Sequence, residues 1–127
     1  KSVEDSFASA ANYLNKIGWK KNKPCYTKIE LNNDIHRKYL NSSARKIKNK
    51  KKAKFFKKYI KQSNNLNIDD NLVSAIITPD KDIIPGSNTY TPAYLIYENY
   101  EKILSWNRSL RFALAVCTLK DNFKNEI

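Results

Sequence analysis

Four consecutive residues, Trp106, Asn107, Arg108 and Ser109, bring an aromatic ring, an amide, a cation and a hydroxyl together in the chain. Sugar sites use this mixture, because ring faces stack on the C–H surfaces of pyranoses while amides hydrogen bond to hydroxyl groups. The alternative is structural: Trp106 anchors the core, and Asn107 or Ser109 caps a helix. Taken alone, these residues favour the structural interpretation.

Carboxylates that would cleave a glycosidic bond must lie in a partly desolvated cleft. Glu4 and Asp5 fall in the first turn of a predicted helix, where the helix dipole accounts for them. Glu30 lies on the polar side of a predicted strand, and Glu98 and Glu101 open another helix. We therefore predict no catalytic residue in this chain.

A basic segment from Arg45 to Lys61 carries Phe55, Phe56 and Tyr59 among its lysines. Such a segment can follow phosphate groups while its rings stack on bases. The alternative is a solvated helix face, because aromatic residues at helical spacing usually pack in a core. The candidate polyanion-binding residues are Lys50, Lys51, Lys52, Lys54, Lys57 and Lys58.

The formal net charge of +12 on 127 residues favours polyanionic partners, such as nucleic acid, anionic lipid or an acidic cell-wall polymer. Charge does not choose between them, and a lysine-biased composition produces the same excess with no function. The longest apolar run, Phe112 to Leu119, is well short of the roughly 20 residues that a membrane-spanning helix needs.

Cys25 and Cys117 are the only cysteines, and they lack the paired spacing of a zinc site. We predict no metal and no cofactor. Cys117 lies in an apolar run and is expected to pack as a small hydrophobic residue. A disulfide between the two cysteines is compatible with an oxidising compartment, and spacing alone does not establish it.

Apolar residues at helical intervals predict helices at both ends of the chain and one in the middle. Gly18 is the predicted left-handed stop of the first helix, and Ser42 or Ser43 the cap of the second. The predicted helices are Val3 to Ile17, Ala44 to Ile60, Glu98 to Trp106 and Leu110 to Phe123.

Alternating or continuous apolar runs between turn residues predict short strands in the middle of the chain. These are Cys25 to Leu31, Leu72 to Thr78 and Asp82 to Ile84. Thr89 to Tyr97 is rich in strand-forming residues, but Pro92 favours an edge or an irregular segment. A helical turn through Tyr39 and Leu40 is predicted to be capped by Asn33 or Asp34.

Tyrosines recur at Tyr90, Tyr94, Tyr97 and Tyr100, where the last predicted strand meets a helix. They either line a cleft or pack the hinge between strand and helix. The residues alone leave both alternatives open.

Three segments, in order along the chain, resemble the lytic murein transglycosylase B family. They are Asp5 to Leu14 followed by Gly18-Trp19, then Thr91 to Tyr100, and Ile103 to Ser109 with Phe112 to Val116. The resemblance implies an α+β fold, the C-terminal part of a lysozyme-like helical core with a small mixed α/β insertion. It implies core helix in residues 1–19, the insertion with its basic helix in 20–88, and a return to the core in 89–127.

The family implies cleavage of the MurNAc-GlcNAc bond of peptidoglycan without water, leaving a 1,6-anhydro muramic end. One glutamate protonates the leaving oxygen and then takes the proton from the muramic 6-hydroxyl. By resemblance this glutamate and a calcium-binding loop lie upstream of this chain. We therefore expect the chain alone to be inactive, and its partners to be glycan strands and the N-terminal half of the enzyme.

By position in the family motif, Trp106, Asn107 and Phe112 match residues that line the saccharide cleft. Phe112 stands where a tyrosine is common, Cys25 where a tryptophan is common, and Thr91 replaces a glycine. A periplasmic or outer-membrane-associated location is implied in the same way. The hypothesis from another class is a cationic module in which Arg45 to Lys61 binds nucleic acid or an anionic surface.

Overall fold

The computed structural model describes residues 23–80 and 91–122, together with positions 9, 12, 15, 16, 18 and 20. The helix predicted from Val3 to Ile17 lies largely outside these residues, and the strand predicted from Asp82 to Ile84 lies wholly outside them. Gly18 has a φ of 93°, in the left-handed region that glycine adopts without strain. The predicted stop at Gly18 is therefore confirmed.

A mixed five-stranded sheet forms the centre of the described part of the chain. Its strands are β1 (Tyr26–Ile29), β2 (Leu40–Asn41), β3 (Lys51–Lys52), β4 (Val73–Ile77) and β5 (Ala93–Ile96). β5 lies between β1 and β4 and is antiparallel to both. β4 pairs on its other side with β2, in parallel, and with β3, antiparallel.

Both faces of the sheet are covered, which is why β4 is an almost continuous apolar run. Ala75 and Ile77 point into one core with the two C-terminal helices. Ile76 points into a second core on the opposite face, together with Leu95 and Phe56. The strand predicted from Leu72 to Thr78 is thus confirmed within one residue of each end.

Within residues 23–80 and 91–122, the α-helices are α1 (Ala53–Lys57), α2 (Glu98–Trp106) and α3 (Leu110–Asn122), and they pack against the sheet. The predictions for α2 and α3 are confirmed, and the buried positions of α3 include Leu110, Ala113 and Cys117. Among the described residues, none of the helices has the length and apolarity needed to cross a bilayer.

The helix predicted from Ala44 to Ile60 is wrong over most of its length. Residues 44–50 are not helical, and β3 follows them. Within residues 44–60, α1 is the only α-helix. Ser43 does not cap a helix; its hydroxyl accepts a bond from the Arg45 N–H in a local turn. The buried Asn41 amide holds the extended chain by accepting from the Lys48 N–H and donating to the Lys48 carbonyl. Its tertiary hydrogen bonds override the helix propensity of the lysines.

The expectation that Pro92 confines its segment to an edge is also wrong, because β5 is an interior strand. Pro92 precedes Ala93, the first residue of β5, so its missing N–H falls outside the ladder. The Thr91-Pro92 peptide bond is cis.

The helical turn predicted near Tyr39 exists as a 3-10 turn, Arg37–Tyr39, but its predicted cap is wrong. The cap is His36, whose Nδ1 accepts a bond from the Lys38 N–H at 3.0 Å. The turn begins three residues beyond the nearer of the two predicted caps, Asn33 and Asp34, so neither side chain reaches its free N–H groups.

Cys25 and Cys117 form a disulfide, with their Cα atoms 5.9 Å apart. It joins the segment before β1 to α3 across 92 residues. Cys117 is fully buried, as expected of a small core residue, but it is bonded rather than a free thiol. The disulfide therefore ties the C-terminal helix to the sheet.

Candidate functional site

The break between α2 and α3 carries the aromatic, amide and hydroxyl residues that the sequence groups together. α2 ends at Trp106, and Asn107 is extended with φ −140°, its N–H bonding to the Ile103 carbonyl. Ser109 begins α3, because its hydroxyl accepts a bond from the Phe112 N–H at 3.1 Å. The structural interpretation of Ser109 as an N-cap is confirmed.

Trp106 and Phe112 meet across this break. Their ring centroids are 5.5 Å apart and their planes cross at 79°, an edge-to-face contact that fixes the orientation of both rings. Both are half-buried and pack against the core beneath α2 and α3. Each ring is thus anchored against the core and partly exposed, which suits a stacking surface for an apolar ring face.

Asn107 lies beside this pair, with its side chain exposed. Within residues 23–80 and 91–122, nothing hydrogen bonds to its side-chain amide. Its neighbour Arg108 is held differently, because one guanidinium nitrogen donates to the Ala44 and Arg45 carbonyls at 3.2 and 3.4 Å. The structure thus brings Trp106, Asn107 and Phe112 together and leaves the amide available to a ligand hydroxyl.

The carboxylates of α2 are paired with lysines. Glu98 accepts from Lys20 at 2.8 Å, and Glu101 from Lys50 at 2.9 Å. The hydrogen bond from Lys20 lowers the pKa of Glu98. This is the opposite of the raised pKa that a general acid needs at neutral pH. Glu4 and Asp5 lie outside the described residues.

The six candidate lysines differ in their contacts. Lys50 pairs with Glu101, and Lys57 pairs with Asp70 at 2.8 Å. The ammonium group of Lys51 lies 5.5 Å from the centroid of the Phe55 ring. The remaining three are exposed: Lys52, Lys54 and Lys58.

A row of half-buried rings lies under some of these lysines. Phe55 lies 5.4 Å from Tyr39 and 6.1 Å from Tyr59, measured between ring centroids. Lys58 sits over two of the rings, 4.7 Å from Phe55 and 5.1 Å from Tyr59, and Lys38 sits 5.2 Å from Tyr39. We call this surface the basic-aromatic row; it consists of the rings of Tyr39, Phe55 and Tyr59 and of the lysines over them, Lys38, Lys51 and Lys58.

The described tyrosines of the predicted cluster pack the hinge between β5 and α2. The Tyr100 hydroxyl is buried and donates to the Leu110 carbonyl at 2.7 Å. The Tyr97 hydroxyl bonds to that of Thr27 at 2.8 Å. Burial raises the pKa of both phenols. Packing, the second of the two alternatives, is confirmed for both; Tyr94 is half-buried against the core that contains Tyr100.

Asn99 is a structural residue that the sequence pattern did not reveal. It is 1% exposed, and its side chain accepts from the Lys20 N–H at 2.9 Å and donates to the Lys20 and Lys23 carbonyls at 2.8 and 2.9 Å. These bonds fasten the segment at Lys20–Lys23 to the first turn of α2. The partners lie 76 to 79 residues away, so no local spacing pointed to them.

Comparison with known proteins agrees with this architecture. The family model described as "Transglycosylase SLT domain" matches residues 1–121. The search of curated proteins gave no match.

Three solved structures from Pseudomonas aeruginosa share the fold. SltB3 in complex with NAG-anhNAM-pentapeptide is 25% identical, with a TM-score of 0.68 over 97% of this chain. SltB3 in complex with NAG-NAM-pentapeptide is 24% identical with a TM-score of 0.67 over 97%. The catenated lytic transglycosylase SltB1 is 19% identical with a TM-score of 0.54 over 94%.

The chain spans about a third of the length of these structures: 31% of both SltB3 chains and 34% of the SltB1 chain. The family model, in contrast, covers nearly the whole chain. The sequence blocks, the fold and the family model agree, and the chain belongs to the transglycosylase SLT domain family.

Proposed function

We propose that this chain is the C-terminal, saccharide-contacting part of a peptidoglycan lytic transglycosylase of the B type. The observation that carries the proposal is the contact of Trp106 with Phe112 beside the exposed amide of Asn107. The SltB3 structures support it, because those proteins were crystallised in complex with NAG-NAM and NAG-anhNAM pentapeptides.

In this proposal the sugar stacks on the exposed part of the Trp106 side chain. The edge of Phe112 holds that ring in place, so little rotational freedom is lost when a pyranose docks. The Asn107 amide can both donate a hydrogen bond to a sugar hydroxyl and accept one. It is therefore more selective for the orientation of the sugar than a charged group, which can only donate or only accept. The half-buried position of both rings supports the same role, since the platform is fixed before binding.

The chemical step belongs to the complete enzyme. Proton transfer by the family's upstream glutamate would break the MurNAc-GlcNAc bond, and the muramic 6-hydroxyl would close the anhydro ring. Trp106, Asn107 and Phe112 would hold the glycan strand in register for that step. We propose that this chain alone binds without cleaving, and that the complete enzyme works on peptidoglycan in the periplasm or at the outer membrane.

The test is a binding titration of the full chain with a NAG-NAM oligosaccharide. Trp106→Ala should weaken binding by about 1–3 kcal/mol, the range for aromatic stacking sites. Asn107→Ala should also weaken it, whereas the matched control Asn64→Ala, an exposed asparagine in the Ser63–Asn65 turn, should not. Unchanged binding by folded Trp106→Ala protein would return Trp106 to a purely structural role.

A second candidate function is polyanion binding by the basic-aromatic row. The observation that favours it is the placement of Lys38, Lys51 and Lys58 over ring faces, 4.7 to 5.5 Å from the ring centroids. Cation–π contacts of this kind hold an ammonium group in place while leaving its charge unneutralised. Nucleic acid and anionic surfaces are the partners that this arrangement would attract.

Two double variants with the same change in net charge test this candidate. Lys51→Gln with Lys58→Gln removes cations of the row, whereas Lys50→Gln with Lys57→Gln removes lysines already paired with carboxylates. A specific surface predicts a larger loss of affinity for single-stranded DNA in the first variant. Equal losses would mean that the net positive charge of the protein, rather than the basic-aromatic row, causes the binding. That result would contradict the second candidate function.

A further inference from the structure

A groove of about 810 Å³ runs along α2, and Trp106, Asn107 and Phe112 are not among its lining residues. Its lining includes Lys20 and Lys23, Val73 at the start of β4, and Arg108, which follows Asn107 at the α2–α3 break. The groove and the candidate saccharide site therefore meet at Arg108.

The groove is strongly cationic. Its charged lining comprises five cations, Lys20, Lys23, Lys50, Lys102 and Arg108, and two carboxylates, Glu98 and Glu101. The carboxylates are paired with Lys20 and Lys50. Lys102 lies close enough to lower the pKa of Glu98, but it makes no ion pair with a described residue. Lys23, Lys102 and Arg108 thus remain without a carboxylate partner among the described residues.

These cations are held on a rigid frame. The three hydrogen bonds of Asn99 fix Lys20 and Lys23 to the helix that carries Lys102. Arg108 is fixed by the carbonyls of residues 44 and 45, which occupy one of its terminal nitrogens and leave the other N–H groups for a ligand. The backbone that carries Lys20 and Lys23 is thus fixed before binding, which lowers the conformational entropy lost when a ligand docks.

The lining also has an apolar part. Val73, 57% exposed, is the one large hydrophobic residue that stands exposed in the described chain. Pro24, Leu72 and Leu104 continue this part of the lining. A ligand that fits must therefore carry anionic groups together with aliphatic ones, and it must be extended to follow the helix.

We propose that this groove binds an extended peptide with two or more free carboxylates. The inference rests on the proposed function, in which the peptide is the one attached to the muramic acid of the glycan strand. A sugar stacked on Trp106 would place that peptide at Arg108, the shared end of the two sites. Carboxylates would then pair with Arg108, Lys102 and Lys23, while aliphatic side chains contact Val73.

The experiment measures the affinity of the full chain for four ligands: NAG-NAM-pentapeptide, the same compound with its carboxylates converted to amides, the NAG-NAM disaccharide without peptide, and the free pentapeptide. The test variant is Lys23→Gln with Lys102→Gln. The control is Lys54→Gln with Lys61→Gln, two exposed lysines that do not line the groove and whose loss changes the net charge equally.

We expect the test variant to bind NAG-NAM-pentapeptide at least tenfold more weakly than the control does, with disaccharide affinity unchanged in both. Amidation should cause a loss of similar size in the unaltered chain. Equal losses in the two variants, or a peptide that adds nothing to disaccharide affinity, would overturn the groove proposal alone. Binding of the free peptide without any binding of the disaccharide would instead overturn the proposed function.

A further comparison separates the peptide from phosphate polymers, which share its negative charge. Inorganic polyphosphate that outcompetes the pentapeptide in the groove, with the same dependence on Lys23 and Lys102, would also overturn the proposal. Polyphosphate that competes more weakly than the free pentapeptide, at matched charge and in about 0.15 M salt, would support the proposal. Polyphosphate has no aliphatic groups that could contact Val73.

Discussion

Replacing Asn99 with alanine should destabilise the protein far more than the same change at an exposed asparagine. The Asn99 side chain is 1% exposed and makes three hydrogen bonds of 2.8 to 2.9 Å to the backbone of Lys20 and Lys23. Each hydrogen bond contributes about 1 kcal/mol net, so the loss amounts to about 3 kcal/mol. The backbone groups left behind regain water only if the segment moves away from α2.

The measurement is urea unfolding of the full chain with its disulfide intact, followed by circular dichroism. Asn99→Ala should lower the midpoint without changing the slope, because the surface exposed on unfolding stays nearly the same. The matched control is Asn107→Ala, an exposed position where the change should stay within about 0.5 kcal/mol. A loss below about 1 kcal/mol for Asn99→Ala would contradict the three-bond arrangement.

Two further predictions concern stability. Reduction of the Cys25–Cys117 disulfide should lower the free energy of unfolding by about 2–4 kcal/mol, as measured by urea unfolding with and without reductant. An unchanged midpoint would mean that the disulfide does not constrain the unfolded chain. Burial raises the pKa of Tyr100, so the folded protein favours the neutral phenol. This preference contributes fully to the free energy of unfolding below the ordinary tyrosine pKa of about 10, and the contribution is lost as pH rises above it. Tyr100→Phe should therefore lose less stability between about pH 9 and 11 than the unaltered protein, and equal losses would show that Tyr100 does not carry the effect.

The C-terminal helices were predictable because their sequence signals are local. α2 has the predicted bounds, Glu98–Trp106, and α3 begins at the predicted Leu110 and is described as far as Asn122, so that its predicted end at Phe123 lies outside the described residues. The break between them was predictable for the same reason, since Ser109 precedes an uninterrupted helical pattern. Trp106, Asn107 and Phe112 were grouped by their position in the family motif, whereas the ring contact of Trp106 with Phe112 is a finding of the structure.

The middle of the chain was not predictable, because distant contacts decide its structure. The lysines from 44 to 60 are good helix formers, yet Asn41, which donates to the Ile76 carbonyl 35 residues away, also binds Lys48 and holds the chain extended. Pro92 does not exclude a central strand, since a proline directly before a strand removes no hydrogen bond between the strands. Both errors come from applying local rules where sheet pairing prevails.

The groove along α2 could not be inferred from the sequence either. Its cations come from separate parts of the chain, Lys20 and Lys23 near one end, Lys50 in the middle, and Lys102 and Arg108 on and after α2. Asn99 is the residue that joins the first two to the helix, and a single buried asparagine carries no periodic signal. Only the fold brings these side chains to one surface.

The most direct test of the central claim is co-sedimentation of the full chain with purified peptidoglycan sacculi in about 0.5 M salt. There the Debye length is roughly 4 Å, so attraction by charge alone is largely screened. We predict pelleting that NAG-NAM oligosaccharides compete away and that Trp106→Ala reduces. Pelleting that disappears with salt alone, or that free glycan leaves unchanged, would contradict a saccharide-contacting role.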